Sequence, residues 1–435
     1  MRSGARKLRT SFTAGRLTHF GGIFLLHQFL QQLQFRTFLS RSISFPQRNN
    51  HYTISELLLA LMYPMILGLE KVEVAALLGT NGVFQYITGL PSFPNPSTLR
   101  RFLLRAAPEL LPQLRTVHDA LRREFLQRPS APSSFWIDCD STVRTLYGNQ
   151  EGAEVGYNPK HRGRRSYHPL LCTEAHGHDA LAGLLRSGDA HTADRIEELI
   201  DRILRLLPHR QRLRLRADAG FYNGAFVAQL RRSRIAFTIV ARMTAPLKAM
   251  VPGRRYYRIR DDLAVSEFRY QPHGWEREER FVVLRRRLPL EPEESQLTLF
   301  TLDRYAYHVL VTDLDLTPYE VFHSYRDRAE IERIIRTLKD DYPFGSAPTN
   351  RYVANELYAE LSLLAYNLMT WFKRLCLPED WQSYTLPTIR HQLLMIPGEF
   401  VRSGNVPTLR FPKNSMHQPV FAEAARRIRK IDPLM

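Results

Sequence analysis

Three acidic side chains stand in sequence settings where they could act together on a phosphodiester. Asp140 and Asp218 each end an apolar, strand-like run, and Glu332 lies in an amphipathic pattern typical of a helix. Carboxylates at two strand ends and on one helix can converge on a pair of magnesium ions, because magnesium prefers oxygen ligands. Such a pair activates the attacking oxygen and stabilises the leaving one. The sequence therefore predicts a site for two Mg²⁺ ions, which Mn²⁺ could replace, and metal-dependent phosphodiester chemistry.

The residues around Glu332 add phosphate-binding groups to this predicted site. From Pro318 onwards the periodicity predicts one continuous helix. Four residues share one face of it: Tyr325, Arg328, Glu332 and Lys339. Arg328 could bind a phosphate through two parallel hydrogen bonds, whereas Lys339 would act as a point charge. A solvated, salt-bridged surface helix is the alternative interpretation of the same pattern.

A strongly basic balance indicates a polyanionic partner. The chain of 435 residues has 61 Lys and Arg against 43 Asp and Glu, a formal net charge of +18. Such an excess promotes binding to nucleic acid, although a merely basic soluble protein would show it too. A basic stretch beside glycine and tyrosine predicts either a loop on the phosphate backbone or a solvated loop. Its candidate contacts are Lys160, Arg162, Arg164 and Arg165.

The N-terminal part, residues 1–130, is predicted to be helical and to bind double-stranded DNA. Two short apolar helices and a glycine-containing turn precede a basic helix that carries Arg100 and Arg101, with Ser97 as its expected N-cap. A plain helical bundle with a solvated basic face fits the same pattern. The Pro- and Ser-rich stretch at 129–134 is predicted to be a linker.

Beyond that linker the pattern predicts a mixed α/β fold. Strand-like runs and then alternating helices and strands occupy 131–242, and a β-rich insertion occupies 243–316. The segment 317–378 contains the helix of Glu332 and a second long helix, and a basic region, 379–435, follows it.

Cysteine use and hydropathy indicate the compartment. The three cysteines are an odd number at wide spacing, which favours free thiols in a reducing compartment over a disulfide framework. The most apolar N-terminal patch, 20–30, is interrupted by glycine, histidine and glutamine, so it predicts neither a signal peptide nor a membrane span. We therefore expect a cytoplasmic protein without a membrane partner.

The motifs together resemble those of bacterial insertion-sequence transposases of the DDE type. The Y-x2-R-x3-E-x6-K signature of one group is complete from Tyr325 to Lys339. The D-S-T-V segment that begins at Asp140 is similar to the first-aspartate motif of such proteins, and the segment around Asp218 is similar to the second. The similarity covers nearly the whole chain, and the three motifs occur in the family's order.

This resemblance implies an RNase H-like core interrupted by a β-rich insertion, with a helical N-terminal DNA-binding region and a helical C-terminal region. The catalytic metal ligands that it implies are Asp140, Asp218 and Glu332. The DNA contacts that it implies are Tyr325, Arg328 and Lys339. The implied reaction is cleavage at the ends of a mobile element, followed by attack of the freed 3′-hydroxyl on target DNA. A homodimer would bind the terminal inverted repeats and the target, at the nucleoid of a bacterial cell.

Two side chains are open to more than one role. Asp138 competes with Asp140 as the first ligand, since residues two apart on a strand point the same way, but the D-S-T-V match favours Asp140. Relatives that form a DNA hairpin stack a flipped base on a tryptophan of the insertion. Trp275 is the candidate for that role here, and a core tryptophan is the plainer interpretation.

Other functions fit parts of the sequence. An RNase H-like nuclease that cuts without strand transfer would use the same three acids. A DNA-binding relative without catalysis would keep the basic helices, although the presence of all three acids argues against it. A zinc protein would use a loose cluster whose spacing matches no strong zinc pattern: Cys172, His176, His178 and His191.

Overall fold

The computed structural model of the protein describes residues 10–47, 51–90, 92–127, 134–207, 212–288, 300–302 and 305–434. Most of the predicted linker, 129–133, lies outside these residues. Within them the helices are α1 (Ile23–Gln32), α2 (Phe35–Ser42), α3 (Ile54–Ile66), α4 (Ala76–Gly79), α5 (Gly82–Thr88), α6 (Pro96–Leu126), α7 (Ile196–Leu206), α8 (Gly224–Arg232), α9 (Ala245–Met250), α10 (Pro318–Arg326), α11 (Ala329–Asp340), α12 (Tyr352–Cys376), α13 (Leu386–Ile389) and α14 (Gln418–Ile428).

The strands within the same residues are β1 (Leu17–Thr18), β2 (Ser134–Ser141), β3 (Arg144–Thr145), β4 (Glu154–Val155), β5 (Arg165–Tyr167), β6 (Leu170–Glu174), β7 (Ala180–Leu184), β8 (Arg212–Ala217), β9 (Ala236–Val240), β10 (Tyr257–Arg260), β11 (Leu263–Tyr270), β12 (Glu279–Arg287), β13 (Phe300–Leu302), β14 (Tyr305–Thr312), β15 (Gly398–Ser403) and β16 (Val406–Arg410). Short 3₁₀ segments occur at Val72–Ala75, Ala219–Phe221 and Glu379–Trp381, and a π-helical turn at Arg390–Leu394. The mixed α/β class that the sequence predicts is confirmed.

The chain forms two compact units. The first contains residues 1–102 and 371–435, and the second contains residues 103–370. The N-terminal and C-terminal regions therefore share one unit. The finer division of the chain at 130, 242, 316 and 378 stays a prediction.

Helix α3 lies at the centre of the first unit. Every residue from Ser55 to Ile66 is buried. Thr53 begins the helix with a capping box, in which its hydroxyl accepts from the Glu56 amide and the Glu56 carboxylate accepts from the Thr53 amide. Arg36, from α2, pairs with the same carboxylate. Two neighbouring helices are thus joined through one buried glutamate.

The C-terminal region adds β-structure to the predicted helices. Strands β15 and β16 form an antiparallel hairpin, and β1 pairs with its outer edge in the order β1-β15-β16. Gly22, just before α1, packs directly on the backbone of the π-helical turn. A Cβ at this position would lie 1.7 Å from the carbonyl oxygen of Leu393, so only glycine permits the approach.

The N-cap predicted at Ser97 is wrong. Helix α6 begins at Pro96, and the Asn95 carbonyl accepts from the amides of Thr98 and Leu99. Proline is favoured at the first position of a helix because its missing amide hydrogen would have no partner there. Ser97 is therefore already inside the first turn.

A ten-stranded sheet forms the centre of the second unit, in the order β10-β11-β12-β14-β9-β8-β2-β6-β7, with β13 paired to β14. Strands β2, β6 and β7 form an antiparallel meander. Strands β8 and β9 run parallel to β2, and α7 and α8 connect them, as helical crossovers do between parallel strands. This is the RNase H-like arrangement that the resemblance implies.

The β-rich insertion extends the same sheet. Strand β14 pairs antiparallel with β9 through Leu310 and Val240, and β12, β11 and β10 follow it outward. Strand β13 and a small sheet of order β3-β5-β4 were not predicted. Strands of two or three residues are too short to show an alternating pattern.

The prediction of one continuous helix from Pro318 is wrong. Helix α10 ends at Arg326, and α11 begins at Ala329. In a continuous α-helix the Arg328 amide would donate to Ser324, but it donates to the Tyr325 carbonyl at 3.0 Å instead. The Ser324 carbonyl accepts from Arg216 Nη1 at 2.5 Å. The buried Arg216 on β8 thus binds the Ser324 carbonyl, which would accept from the Arg328 amide if the helix were continuous.

A buried ionic cluster joins α6, α7 and α12 in the second unit. Glu360, 2% exposed, accepts from His118 Nδ1 at 2.7 Å and lies 3.3 Å from Arg202 Nη2 and 3.5 Å from Arg122 Nη1. Asp119 pairs with the same two arginines at 2.8 and 2.9 Å. Burial favours a high pKa for Glu360, but Arg202 and the other partners outweigh it and hold that pKa well below the usual value.

We expect this cluster to become less stable as the pH is lowered. Burial, followed by the charge of Arg122, lowers the pKa of His118 from 6.5 to about 4, so the folded chain keeps a neutral imidazole while the unfolded chain takes up a proton. The free energy of unfolding should therefore decrease as the pH falls from 6.5 towards 4, by at most about 3 kcal/mol from this residue. Glu360, with its lowered pKa, adds to the decrease below pH 4.5.

The variant His118→Gln tests this origin, because glutamine retains one donor for Glu360 and one acceptor for Asn367, whose Nδ2 lies 2.9 Å from His118 Nε2. Urea unfolding at several pH values should show a shallower decline for the variant than for the parent. An identical decline in both would assign the pH dependence to other groups.

Candidate active site

Asp140 and Asp218 lie side by side at the carboxyl ends of adjacent parallel strands. Strands β2 and β8 are in register through Cys139 and Ala217, so the two aspartates are the next residues at the same level. Paired strands lie about 4.8 Å apart. The carboxyl ends of parallel strands are also the edge at which open α/β sheets bind ligands. The structure thus brings these two predicted residues together.

Asp218 is fixed by the turn that follows β8. It caps the 3₁₀ segment Ala219–Phe221, and its carboxylate accepts from the Gly220 amide at 2.9 Å. Gly220 packs against Thr192, and a Cβ on it would lie 2.4 Å from Thr192 Cγ2. In the Asp-Ala-Gly sequence, the aspartate therefore caps the 3₁₀ segment, and the glycine leaves room for the loop that contains Thr192.

Asp140 is held from two sides. Its Oδ1 accepts from the Ser141 amide at 2.8 Å, and its Oδ2 lies 3.1 Å from Arg328 Nη2. Burial raises the pKa of Asp140 to about 6; the charges of Asp218 and Glu332 act in the same direction, and Arg328 acts against them. Burial is the main cause of this raised pKa, and the two neighbouring carboxylates, which also raise it, would be offset by a bound cation.

Arg328 is the buried cation of this site. Its side chain is 8% exposed, and Nη2 also donates to the Cys139 carbonyl at 3.2 Å. Burial alone would lower its pKa, but Asp140, Tyr325 and nearby acids raise it, so the guanidinium is charged. Within the described residues its Nε has no hydrogen-bond acceptor. Arg328 thus retains a donor for a further anionic group.

Glu332 lies on the exposed face of α11, in its first turn. Its charge is close enough to contribute to the raised pKa of Asp140. The opposite face of the helix packs into the core, as predicted, through Ile331, Ile334, Ile335 and Leu338. Tyr325, at the end of α10, is half-buried beside the ring of His308, and burial raises its pKa to about 12.

Asp138, the competing first ligand, has another partner. Arg216 lies opposite it on β8 and holds both carboxylate oxygens, with hydrogen bonds of 2.6 and 2.8 Å. Asp138 is 1% exposed. Arg216 of this pair also donates to the Ser324 carbonyl near the end of α10, so Asp138 supports the positions of Tyr325 and Arg328. Asp140 as the first metal ligand stays a prediction.

The donor set suits magnesium in its chemistry. Three carboxylates, on β2, directly after β8 and on α11, supply the hard oxygen ligands that Mg²⁺ prefers, and the like charges around Asp140 favour a cation. Yet among the residues described, no group of three or more His, Cys, Asp or Glu side chains is already close enough to hold a metal ion. Arg328 on Asp140 and the Gly220 amide on Asp218 occupy oxygens that a metal would need.

Lys339 is tied to the chain that follows β2. Its Nζ donates to the Val143 carbonyl at 2.8 Å, and Arg144 Nη1 donates back to the Lys339 carbonyl at 3.0 Å. Burial lowers the pKa of Lys339, and the charges of Arg144 and Lys160 lower it further. Lys339 therefore lies in a positive region that Arg144, unnoticed in the sequence, shares.

His168 is a second residue that sequence reasoning missed. Its Nδ1 lies 2.8 Å from the Ala190 carbonyl, and its Nε2 lies 3.1 Å from the Ser141 hydroxyl. The ring thus supports the residue next to Asp140. A histidine directly before a proline, at the start of an apolar run, carries no spacing signal that would reveal this contact.

Residues 2–433 match the family model described as transposase DDE domain, group 1. The chain belongs to this family. A solved piggyBac transposase synaptic complex with hairpin DNA is similar to this chain at a TM-score of 0.43 and 11% identity, covering 86% of this chain and 78% of that one. No curated protein matches the sequence significantly.

The basic residues predicted to contact DNA in this transposase-family chain are exposed on one turn. Lys160, Arg162 and Arg164 lie in the segment between β4 and β5, and Arg165 begins β5. Gly163 has a positive φ of 73° in this turn, which glycine adopts readily. The stretch predicted as a loop is thus a turn held by the small sheet β3-β5-β4.

Trp275 is half-buried. Its ring packs at 4.9 Å from the Tyr222 ring and against Gly224 at the start of α8, where a Cβ would lie 2.9 Å from Trp275 Cδ1. It borders the main core of the second unit. This placement accounts for the residue by packing, and base stacking on it stays a prediction.

Arg100 and Arg101 lie on α6 in the first unit. Arg100 pairs with Glu73, while Arg101 is exposed and donates to the Ser97 carbonyl at 3.3 Å. Contact of these two arginines with DNA stays a prediction.

The residues of the zinc alternative have separate partners. Cys172 faces Cys139 on the neighbouring strand, with the two sulfurs 2.8 Å apart. His176 lies 3.1 Å from Glu174, and His178 lies 3.8 Å from Glu330.

Among the described helices, none has the length and apolar character to cross a membrane.

Proposed function

We propose that this protein is the transposase of an insertion sequence, which cleaves DNA at the element ends and joins the freed 3′-hydroxyl to target DNA. The observation that supports this most is the juxtaposition of Asp140 and Asp218 at one sheet edge, with the charge of Glu332 acting on Asp140. Membership of a transposase DDE domain family supports the same reaction.

In this proposal the three acids hold two Mg²⁺ ions, for which Mn²⁺ could substitute. Bound divalent ions would activate the attacking oxygen and stabilise the leaving oxygen of a phosphodiester. The chain's own contribution is position: the register of β2 and β8 sets two carboxylates side by side, and the turn between α10 and α11 sets Arg328 beside them.

The cations near the acids would hold the DNA backbone. Arg328, whose Nε has no acceptor among the described residues, can donate to a phosphate oxygen close to Asp140. Lys339 adds a positive charge from the end of α11. The exposed basic turn would bind further phosphates of the DNA strand through Lys160, Arg162, Arg164 and Arg165.

Transposition requires two element ends to meet, so we propose a homodimer assembled on DNA that contains terminal inverted repeats and target. Tyr325, Arg328, Glu332 and Lys339 would form the group's Y-x2-R-x3-E-x6-K signature. We place the protein at the nucleoid of a bacterial cell, where this substrate is found.

The test is cleavage of labelled DNA that carries the repeats flanking the element, with and without Mg²⁺, by the parent and by Asp218→Ala. Magnesium-dependent nicking at the repeat boundary that the variant lacks is the expected result. A second reaction with unlabelled target plasmid should convert the cleaved strand into a joined product.

The outcomes separate the competing functions. Cleavage without a joined product would replace the proposal with a nuclease that does not transfer strands. Tight binding of the repeats without cleavage by the parent would indicate an inactive, DNA-binding relative. In such a relative the ion pair between Arg328 and Asp140 would persist when DNA binds.

Arg328→Ala is expected to weaken binding to cleaved element ends and to reduce the slope of affinity against salt by about one phosphate contact. The physical reason is the loss of a buried guanidinium that holds a spare donor beside Asp140. Binding titrations over a range of salt concentrations measure both effects.

The matched control is Arg333→Ala, since Arg333 is exposed on α11, which Arg328 directly precedes, and pairs with Glu330. Equal salt slopes for the parent, Arg328→Ala and Arg333→Ala would assign Arg328 to structure alone.

A further inference from the structure

The small sheet β3-β5-β4 sends two chain segments out at the same end. Strands β3 and β4 both pair antiparallel with β5, with Thr145 and Glu154 on either side of Ser166. They therefore run in the same direction, and Tyr147 and Tyr157 each follow two residues after a strand. The basic turn enters β5 from that same end.

Both tyrosines project into solvent. Tyr147 is 83% exposed and Tyr157 is 72% exposed, although aromatic rings are usually at least partly buried. Their neighbours are anchored: Leu146 is buried, and its amide donates to the Arg165 carbonyl at 2.9 Å. Two rings are thus presented to solvent from a fixed support.

The backbone at Tyr157 is held in place on both sides. Asn158 is 5% exposed; its Nδ2 donates to Thr145 Oγ1 at 3.0 Å, and its Oδ1 accepts from the His161 amide at 3.1 Å. Gly156 packs on the backbone of Gly188, where a Cβ would lie 1.9 Å from the carbonyl oxygen. This bracing limits the entropy that Tyr157 would lose on binding a ligand.

Positive charge follows Tyr157 along the chain. The turn after Asn158 places Lys160, Arg162 and Arg164 in solvent. Lys160 is close enough to Lys339 for their charges to interact, and Lys339 holds the Val143 carbonyl three residues beyond Asp140. The basic turn is therefore linked, through Lys339, to the chain segment that follows Asp140.

We propose that Tyr147 and Tyr157 form a stacking platform for unpaired bases of the DNA strand at the cleavage site, while the basic turn binds its phosphates. The proposal rests on the proposed function and adds that the site recognises DNA whose bases are unpaired. Exposed aromatic rings, combined with cations that bind the phosphate backbone, are the features that bind single strands without sequence preference. In a paired duplex the faces of the bases are covered by their neighbours, so only an unpaired segment offers them to these rings.

The experiment measures binding of repeat-end DNA in two forms, fully paired and with a short mismatched segment at the boundary, in buffer containing EDTA so that no cleavage occurs. The parent is expected to prefer the mismatched form. The double variant Tyr147→Ala/Tyr157→Ala should lose that preference, by about tenfold for each ring, and should bind the paired form as the parent does.

Two control variants separate stacking from other effects. Tyr147→Phe/Tyr157→Phe keeps both rings and should keep the preference. Tyr257→Ala removes an exposed tyrosine on β10 and should leave both affinities unchanged.

A double alanine variant that keeps the parental preference would overturn the platform while leaving the proposed function intact. A parent that binds neither DNA form would overturn both proposals. A phenylalanine variant that behaves as the alanine one would show that the hydroxyls, not the rings, carry the effect, and would also overturn the stacking proposal.

Discussion

Alanine at Asp140, Asp218 or Glu332 is expected to reduce element-end cleavage by more than the roughly 10–100-fold that loss of an outer partner of a metal ligand costs. Each acid would be a direct ligand in the proposed site, so no other group can replace its oxygen atoms. DNA binding should be unchanged or tighter, because each substitution removes a negative charge from the surface that faces phosphate. Cleavage rates and binding affinities measured on the same DNA separate the two effects.

Helix α11 provides a matched pair for this prediction. Glu332→Gln should eliminate cleavage, whereas Glu330→Gln, two residues earlier, should leave it near the parental rate. Glu330 pairs with Arg333 and lies 3.8 Å from His178, so its substitution alters these two ion pairs. Equal rates for Glu332→Gln and the parent would remove Glu332 from the site.

Metal exchange tests direct ligation more sharply than loss of activity does. In Asp218→Cys a thiolate would replace the carboxylate, and thiolates bind softer ions better than Mg²⁺. Activity should therefore recover more in Mn²⁺ than in Mg²⁺, relative to the parent. The same ratio of the two rates in variant and parent would argue that Asp218 acts without touching the metal.

The sequence predicted which acids would meet because strand ends can be read locally. Asp140 and Asp218 each follow an apolar run, and parallel pairing places such ends at one edge. The pairing itself, with Cys139 opposite Ala217, depends on the crossover through α7 and could only be inferred from the resemblance. The mixed α/β class could be predicted because strand-like and helical patterns alternate along the sequence.

The break before α11 could not be predicted, since its cause lies far away in the sequence. The residues from Pro318 to Lys339 have helical periodicity throughout, and nothing among them ends a helix. Arg216, about a hundred residues earlier in the chain, takes the Ser324 carbonyl while it binds Asp138. Periodicity reports which face of a segment is apolar, and it carries no information about which distant donor reaches its backbone.

The exposed Tyr147 and Tyr157 show a related limit. In the sequence Tyr157 begins the basic stretch that is predicted as a loop, and Tyr147 lies outside that stretch. Their shared position follows from three strands of two or three residues each, whose pairing no local pattern reveals. The basic residues beside them were recognised because charge is visible without knowledge of pairing.

Glu360→Gln is expected to destabilise the second unit by about 3–5 kcal/mol, because it leaves buried arginines without their shared counter-ion. Glutamine keeps the volume and one hydrogen bond to His118, so the loss reports charge rather than packing. Arg122 is fully buried and Arg202 is 11% exposed, and Asp119 alone cannot neutralise both. Thermal unfolding should shift downwards by on the order of 10 °C.

The control for this substitution lies one turn earlier on the same helix. Glu356 pairs with Arg115 at 2.6 Å but is 12% exposed, against 2% for Glu360. Glu356→Gln should cost about 1 kcal/mol or less, as partly solvated pairs do. Removing one cation as well, in Glu360→Gln/Arg202→Met, should recover part of the stability, because the excess buried charge is then smaller. If the double variant is less stable than the sum of the two single changes predicts, the arginine supports the fold through packing, and the charge-balance account of this cluster is wrong.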